Sequence, residues 1–270
     1  MPDSFRRRVR QVIADSGRLC VGIDPHESLL REWGLPLTAS GAREFGLRVV
    51  DAAAGRVGFV KPQVAFFERY GAAGYGALED VLATARGAGL VVIADAKRGD
   101  IGTTVQAYGQ AWLTAGSPLE ADALTVVAYQ GLGSLDQVIA LAERGGKGLF
   151  VLTATSNPEA ALTQSALRAD ERTVAAGIVA DIRARESGSL GVVVGATLEV
   201  SDFGMDLTQL AGIPILSPGF GAQGAHLRDT DRLFGAASAN TIASVSRSVL
   251  AGGPDGLAAA IESATKEVAA

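Results

Sequence analysis

Two aspartates and a lysine stand close together in the segment ADAKRGDIGTT. Asp95 and Lys97 are two residues apart, so on a β-strand their side chains would lie on the same face. Asp100 follows in a turn that Gly99 eases, whereas Arg98 should point the other way. A lysine between two carboxylates is favoured in its protonated form, and it can then stabilise negative charge or donate a proton. A self-compensating charge cluster at a strand end is the structural alternative.

A second group of residues could bind an anion. The segment SPGFGAQG contains three glycines, and loops of this kind bring backbone N–H groups close to a phosphate. The candidate residues in this loop are Pro218, Gly219 and Gly221. Arg247 lies further along the chain in SVSRS, and its planar guanidinium matches phosphate geometry. An ordinary flexible loop and a surface arginine are the alternatives.

Eight short apolar runs, rich in valine, isoleucine and leucine, could position these residues. The runs begin at Leu19, Val57, Leu90, Ala123, Lys147, Leu190, Pro214 and Asn240. Continuous hydrophobicity of this kind is typical of parallel strands that are buried on both faces. Helix-like segments separate the runs, for example SLDQVIALAERGG, which Ser134 should cap.

This alternation predicts a single (β/α)₈ TIM barrel over residues 1–270, with an N-terminal helical extension. An open, doubly wound sheet is the alternative fold. In a barrel, the carboxyl ends of the strands form one face, where such enzymes carry their active sites. Most of the candidate residues fall at those ends, namely Asp24, Lys61, Asp95, Lys97, Ser156, Gln223 and Arg247.

Composition narrows the class of protein. A net charge of -5 makes nucleic acid and anionic membranes unexpected partners. The N-terminal segment MPDSFRRRVRQVIADSG has no apolar core long enough for a signal peptide, and no stretch is long enough for a membrane span. The one cysteine, Cys20, cannot form an internal disulfide. We therefore expect a cytoplasmic protein. His26 and His226 lack neighbours at metal-ligand spacing, and no cofactor motif is visible, so we predict neither a metal nor a cofactor.

Six segments together resemble one enzyme family along nearly the whole chain. They read CVGIDPH, FVKPQVAFFE, DAKRGDIGTT, TSNPE, SPGFGAQG and SVSRS. The chain is similar to the orotidine 5'-phosphate decarboxylases, especially the bacterial subgroup with longer chains. This resemblance implies decarboxylation of orotidine 5'-phosphate to uridine 5'-phosphate, the last step of de novo pyrimidine synthesis. It also implies that the reaction needs no cofactor.

The resemblance further implies a role for each matching residue. An alternating charged tetrad around the reacting carbon would consist of Lys61, Asp95, Lys97 and Asp100. Lys97 would stabilise a carbanion at C6 of the pyrimidine and protonate it. The substrate-binding residues would be Asp24 and Lys61 at the ribose, Ser156 at the pyrimidine, and Gln223 and Arg247 at the phosphate. A homodimer with shared sites would form through Asp100, Ile101 and Thr104, which would reach into the neighbouring subunit.

Two positions depart from the family pattern. Ser246 stands where a glycine usually precedes the arginine, so we expect a perturbed backbone beside the phosphate. The segment VVAYQG lacks a proline before its tyrosine, but it touches no residue assigned to chemistry.

Three other functions stay open on the sequence. One is a metal-dependent sugar-phosphate decarboxylase or epimerase on the same barrel. Another is a class I aldolase, which would need Lys97 to be deprotonated near neutral pH. The third is a catalytically inactive nucleotide-binding protein.

Overall fold

Eight parallel strands close into a barrel in the order in which they occur along the chain. The computed structural model describes residues 4–269. The strands are β1 (Leu19–Ile23), β2 (Phe59–Pro62), β3 (Val91–Arg98), β4 (Ala123–Val126), β5 (Gly148–Ala154), β6 (Leu190–Val194), β7 (Ile215–Pro218) and β8 (Thr241–Val245). Strand β1 pairs with both β2 and β8, which closes the ring. The predicted (β/α)₈ barrel is therefore confirmed, and the open doubly wound sheet is wrong.

Helices surround the barrel and connect its strands. The α-helices are α1 (Phe5–Ser16), α2 (Glu27–Glu32), α3 (Ala39–Ala53), α4 (Ala65–Glu68), α5 (Gly71–Gly87), α6 (Gly102–Leu113), α7 (Asp136–Gly145), α8 (Pro158–Gln164), α9 (Val174–Ala184), α10 (Leu207–Leu210), α11 (Thr230–Phe234), α12 (Arg247–Leu250) and α13 (Gly253–Ala269). Short 3₁₀ turns span Leu132–Leu135, Val200–Phe203, Leu227–Asp229 and Gly235–Asn240. None of the helices within residues 4–269 is long and apolar enough to cross a membrane.

Helix α1 seals the amino end of the barrel. Its residues Phe5 and Val9 belong to the same buried cluster as the inward-facing side chains of the strands. The ring of Phe5 meets that of Phe150 edge to face, with centroids 5.8 Å apart. A side chain at Gly148 would collide with Phe5, so the close packing depends on a glycine there. Because side chains fill this end, the cavity of the barrel lies at the opposite, carboxyl end.

The single cysteine belongs to this interior cluster. Cys20 is fully buried, and burial raises the pKa of its thiol to about 12. Such a thiol is neither exposed nor ionised at neutral pH, so it acts as a small apolar packing group.

One local prediction is wrong. Ser134 does not cap the helix that follows β4, because it lies inside a 3₁₀ turn and its hydroxyl donates to the carbonyl of Gly131 at 2.8 Å. Helix α7 begins two residues later, at Asp136, and the left-handed Gly146 follows its last residue.

Candidate active site

The carboxyl ends of the eight strands enclose a cavity of about 760 Å³. Every strand contributes to its wall, either directly or through the residues that follow it. Of the residues assigned a role in the sequence, those lining it are Asp24, Lys61, Asp95, Lys97, Pro218, Gly219, Gln223 and Arg247, and His26 and Ser246 line it as well. Those outside this lining are Asp100, Ile101, Thr104, Ser156 and Gly221. Among residues 4–269, no three His, Cys, Asp or Glu side chains are grouped to hold a metal ion.

A row of alternating charges lies on the floor of the cavity. The carboxylate of Asp95 accepts hydrogen bonds from Lys61 Nζ at 2.9 Å through Oδ2 and from Lys97 Nζ at 2.7 Å through Oδ1. Lys61 and Asp95 are buried, whereas the Lys97 side chain is 44% exposed. Two cations therefore flank one carboxylate, and the second cation faces the space that a ligand would fill.

Burial and charge act against each other in this row. Burial alone would raise the pKa of Asp95, but the nearby Lys61 and Lys97 hold that pKa well below its usual range. Burial alone would lower the pKa of Lys61, yet Asp95 and Asp24 raise it above its ordinary value. Lys61 and Asp95 are consequently both ionised across the physiological pH range.

The backbone at Lys97 departs from a regular strand. Its φ angle is +50°, in the left-handed region that residues other than glycine rarely adopt. The pairing between β3 and β4 shifts here, because three residues, Asp95 to Lys97, separate Ala94 from Arg98 while only one separates their partners on β4. The side chains of Asp95 and Lys97 do meet, as the spacing suggested, but a β-bulge brings them together instead of regular strand alternation. Such a conformation costs on the order of 1–3 kcal/mol and is typical of functional sites.

Two polar residues of the site were missed in the sequence. Gln63 Oε1 accepts a hydrogen bond from Lys97 Nζ at 3.2 Å, and Thr125 Oγ1 donates one to Asp95 Oδ1 at 3.0 Å. Gln63 follows Lys61 by two positions, the spacing of residues on one strand face, and this signal could have identified it. Thr125 is a polar residue inside an otherwise apolar run, which is the signal that it carried.

Arg98 points away from the cavity, as expected. It donates to the carboxylate of Glu68 at 2.9 Å and to the hydroxyl of Tyr75 at 3.4 Å. Of the two neighbouring residues Lys97 and Arg98, Lys97 therefore lines the cavity and Arg98 contacts the surrounding helices.

The glycine-rich loop after β7 forms one rim of the cavity. Its glycines take left-handed φ angles of +116° at Gly219, +71° at Gly221 and +111° at Gly224. The N–H of Gly221 donates to Ala225 O at 2.8 Å, and that of Gly224 donates to Gly221 O at 3.0 Å. Gly221 and Gly224 therefore use their N–H groups within the loop. These two glycines shape the loop instead of offering their N–H groups to a ligand.

Arg247 lies on the same rim, two residues after the end of β8. Its side chain is exposed and forms no ion pair with another residue in the range 4–269. A guanidinium at the mouth of a cavity, next to a glycine-rich loop, can bind a phosphate through two parallel N–H groups.

Ser246, which stands where a glycine was expected, has φ −138° and ψ −87°. Its φ lies outside the left-handed region, but this pair of angles belongs to neither a helix nor a strand. Its side chain packs against Gly22 of β1, where an added Cβ would lie 2.9 Å from Ser246 Cβ. Asp24 follows β1 and Ser246 follows the neighbouring β8. Each has a buried oxygen, Asp24 Oδ1 and Ser246 Oγ, with no hydrogen-bond partner among the described residues. Both residues line the cavity, so a bound ligand could satisfy these oxygens.

The residues predicted to serve a neighbouring subunit lie outside the cavity. Asp100 Oδ1 accepts a hydrogen bond from the N–H of Ile101 at 2.8 Å. The side chain of Ile101 is 60% exposed, and Thr104 is exposed on the first turn of α6. Ser156 is exposed too, next to the cavity-lining Thr155.

Comparison with known proteins gives a single family. Residues 17–262 match the family model described as orotidine 5'-phosphate decarboxylase / HUMPS family. The orotidine 5'-phosphate decarboxylase of Streptomyces coelicolor is 48% identical over 259 residues, which cover 94% of this chain and 92% of that protein. The enzyme of the same name from Nocardioides sp. is also 48% identical, over 91% of each chain.

Solved structures agree with this assignment. A crystal structure from Streptomyces avermitilis, assigned provisionally to orotidine 5'-phosphate decarboxylase, has a TM-score of 0.94 and 46% identity over 99% of this chain and 95% of that chain. The OMP decarboxylase of Leishmania donovani has a TM-score of 0.75 and 29% identity over 99% of this chain and 98% of that chain. By sequence and by fold, the chain belongs to the orotidine 5'-phosphate decarboxylase / HUMPS family.

Proposed function

We propose that this protein decarboxylates orotidine 5'-phosphate to uridine 5'-phosphate and carbon dioxide, as the last step of de novo pyrimidine synthesis. The observation that supports this most strongly is the Lys61–Asp95–Lys97 row on the floor of the cavity. It places a cation next to the position of a developing negative charge. The reaction needs this feature because the electron pair left at C6 of the pyrimidine has no adjacent electron sink.

Lys97 can perform both tasks that the reaction requires, stabilising the carbanion and protonating it. As the bond between C6 and the carboxylate breaks, the electron pair stays on C6 and the Lys97 ammonium stabilises it. The same ammonium then donates a proton to C6, and solvent returns one to the lysine. Asp95 and Gln63 accept hydrogen bonds from two of the three N–H groups of the Lys97 ammonium, at 2.7 and 3.2 Å. These two bonds fix the direction of the third N–H group.

The other lining residues suit the remainder of the nucleotide. Asp24 has a buried carboxylate oxygen that lacks a hydrogen-bond partner within residues 4–269 and could accept a hydrogen bond from a ribose hydroxyl. The charge of Asp24 also acts on Lys61, the first member of the charged row. Gln223 and Arg247 would hold the phosphate beside Pro218 and Gly219, which line the same cavity. Gly221 would serve this site by shaping the loop, since its N–H is donated to Ala225 O. Ser156 would contact the pyrimidine from the segment after β5. The phosphate would thereby contribute binding energy far from the reacting carbon, which helps to position the ring.

The proposal includes a homodimer with shared active sites. Large apolar residues are exposed on the segments that follow the paired strands β3 and β4, namely Ile101 at 60%, Tyr108 at 37% and Tyr129 at 84%. Such a patch is typical of a protein interface. Pairing through these segments would cover the patch and carry Asp100, Ile101 and Thr104 into the partner's cavity. A cytoplasmic location belongs to the same proposal.

The direct test is an ultraviolet assay of the loss of orotidine 5'-phosphate, run with and without excess chelator. We expect full activity in both, because the ammonium of Lys97 supplies the positive charge that the carbanion needs. Loss of activity with chelator and recovery with magnesium would instead favour a metal-dependent sugar-phosphate enzyme. A protein that binds uridine 5'-phosphate but turns over no substrate would contradict the proposed reaction.

Replacing Arg247 with alanine should weaken binding of the nucleotide much more than binding of its nucleoside. The loss of one charge-assisted contact costs about 1.5–3 kcal/mol, which is roughly a 10- to 150-fold change in Kd. Calorimetric titration with uridine 5'-phosphate and with uridine measures the difference. The matched control is Arg228→Ala, which removes an equal charge from an exposed residue outside the cavity lining. Equal losses for both ligands would contradict the role in phosphate binding.

A further inference from the structure

The bulge in β3 faces a single residue of β4. On β3, Asp95, Ala96 and Lys97 lie between the paired residues Ala94 and Arg98, whereas on β4 only Thr125 lies between their partners. The regular pairing of the two backbones is interrupted there. The hydroxyl of Thr125 substitutes for it, since Oγ1 accepts a hydrogen bond from the N–H of Lys97 at 3.0 Å.

The same hydroxyl also restrains the carboxylate beside the lysine. Thr125 Oγ1 donates its proton to Asp95 Oδ1 at 3.0 Å, and Asp95 Oδ1 in turn accepts from Lys97 Nζ at 2.7 Å. A hydroxyl has one proton to donate and two lone pairs to accept with, so both bonds can form at once. One side chain thus connects the backbone of Lys97, the carboxylate of Asp95 and, through that carboxylate, the ammonium of Lys97.

We propose that Thr125 is a positioning residue for the reaction, holding Lys97 in its left-handed conformation and its ammonium against Asp95. This inference rests on the proposed decarboxylation. Thr125 lines the cavity floor and is 1% exposed, so the hydroxyl is held in one place by its strand. Without the Thr125 hydroxyl, the N–H of Lys97 loses its hydrogen-bond acceptor on the buried side of the bulge. The left-handed backbone then loses a restraint, and the ammonium is free to move away from C6.

The experiment compares Thr125→Val with Thr125→Ser. Valine has nearly the shape of threonine but lacks the hydroxyl, whereas serine keeps the hydroxyl and loses only a methyl group. We expect Thr125→Val to lower kcat by roughly 10- to 100-fold, because small displacements of a reacting group have effects of this size. The KM and the Kd for uridine 5'-phosphate should stay within about threefold of wild type, since Arg247 and Asp24 are untouched. Thr125→Ser should retain kcat within about threefold.

A merely structural role would give a different set of results. It would lower the thermal midpoint of both variants without separating kcat from KM, and serine would not restore turnover. The inference is wrong if Thr125→Val keeps kcat within twofold of an active wild type, or if the two variants lose kcat equally. Should Thr125→Val fail to fold, Thr125→Ala provides the variant without a hydroxyl.

A crystal structure of the Thr125→Val variant separates this inference from the proposed function. We expect the φ angle of Lys97 to leave the left-handed region, or Lys97 Nζ to leave Asp95. An unchanged Lys97 in that variant would overturn the positioning role even if the wild type were a different enzyme. An inactive wild type together with a displaced Lys97 would instead overturn the decarboxylase proposal and leave the positioning of the lysine supported.

Discussion

Replacing Lys97 with alanine should lower kcat by about 10⁴-fold or more while nucleotide binding persists. The change removes both the cation that stabilises the carbanion and the acid that protonates it. Electrostatic stabilisation by one group contributes about 10²–10³-fold and general acid catalysis about 10²–10⁴-fold. Because Lys97 lies at the floor of the cavity and Arg247 at its rim, the phosphate contacts should survive the substitution.

Two measurements check this expectation: single-turnover decarboxylation and calorimetric binding of uridine 5'-phosphate. Lys266→Ala serves as the control, since Lys266 is an exposed lysine on α13, outside the cavity lining. If Lys97→Ala stayed within about tenfold of wild type, the loss would amount to only about 1.4 kcal/mol, and Lys97 could not have the assigned role. A large loss of nucleotide binding would mean that Lys97 acts in the ground state as well.

The barrel could be predicted from the sequence because its strands are buried on both faces. Each of the eight apolar runs overlaps one observed strand, and the runs that begin at Leu19, Ala123 and Leu190 start where β1, β4 and β6 do. Burial on both faces requires continuous hydrophobicity, which is visible without knowledge of the partner strands. The start of helix α7 was harder to predict from the sequence. Serine often caps a helix, but the hydroxyl of Ser134 donates its proton to the carbonyl of Gly131.

The charged row could be predicted only in part. Strand ends identified Asp24, Lys61, Asp95 and Lys97, because parallel strands bring their carboxyl ends to one face. The β-bulge could not be predicted, since it depends on how β3 pairs with β4. The polar side chain of Thr125 stands out in its apolar run, but its role depends on the same pairing and could not be predicted for the same reason.

The residues predicted to serve a neighbouring subunit stay a prediction. Asp100, Ile101 and Thr104 lie in a motif that resembles the family, yet they lie outside the lining of the cavity in their own chain. A linear sequence does not say which subunit a loop serves. Only a second copy of the chain can decide whether these side chains complete an active site.

Mixing two inactive variants should restore activity if the sites are shared. We expect Lys97→Ala and Asp100→Ala homodimers each to be nearly inactive. In a mixed dimer, the site built on the Asp100→Ala chain has its own Lys97 and receives an intact Asp100 from its partner. The other site lacks both groups. Random pairing of equal amounts makes about half of the dimers mixed, each with one whole site out of two, so activity should return to about one quarter of wild type.

The control for this experiment is a mixture of Lys97→Ala with Asp95→Asn. Asp95 and Lys97 are hydrogen-bonded at 2.7 Å within one chain, so no pairing of these variants yields a whole site. That mixture should gain nothing. Differential tags must show that subunits exchanged in both mixtures, because without exchange neither could recover. If exchange is complete and the first mixture also gains nothing, Asp100 acts within its own chain. The shared site would then be wrong, whereas the role of Lys97 would stand, since its contacts with Asp95 and Gln63 need no second subunit.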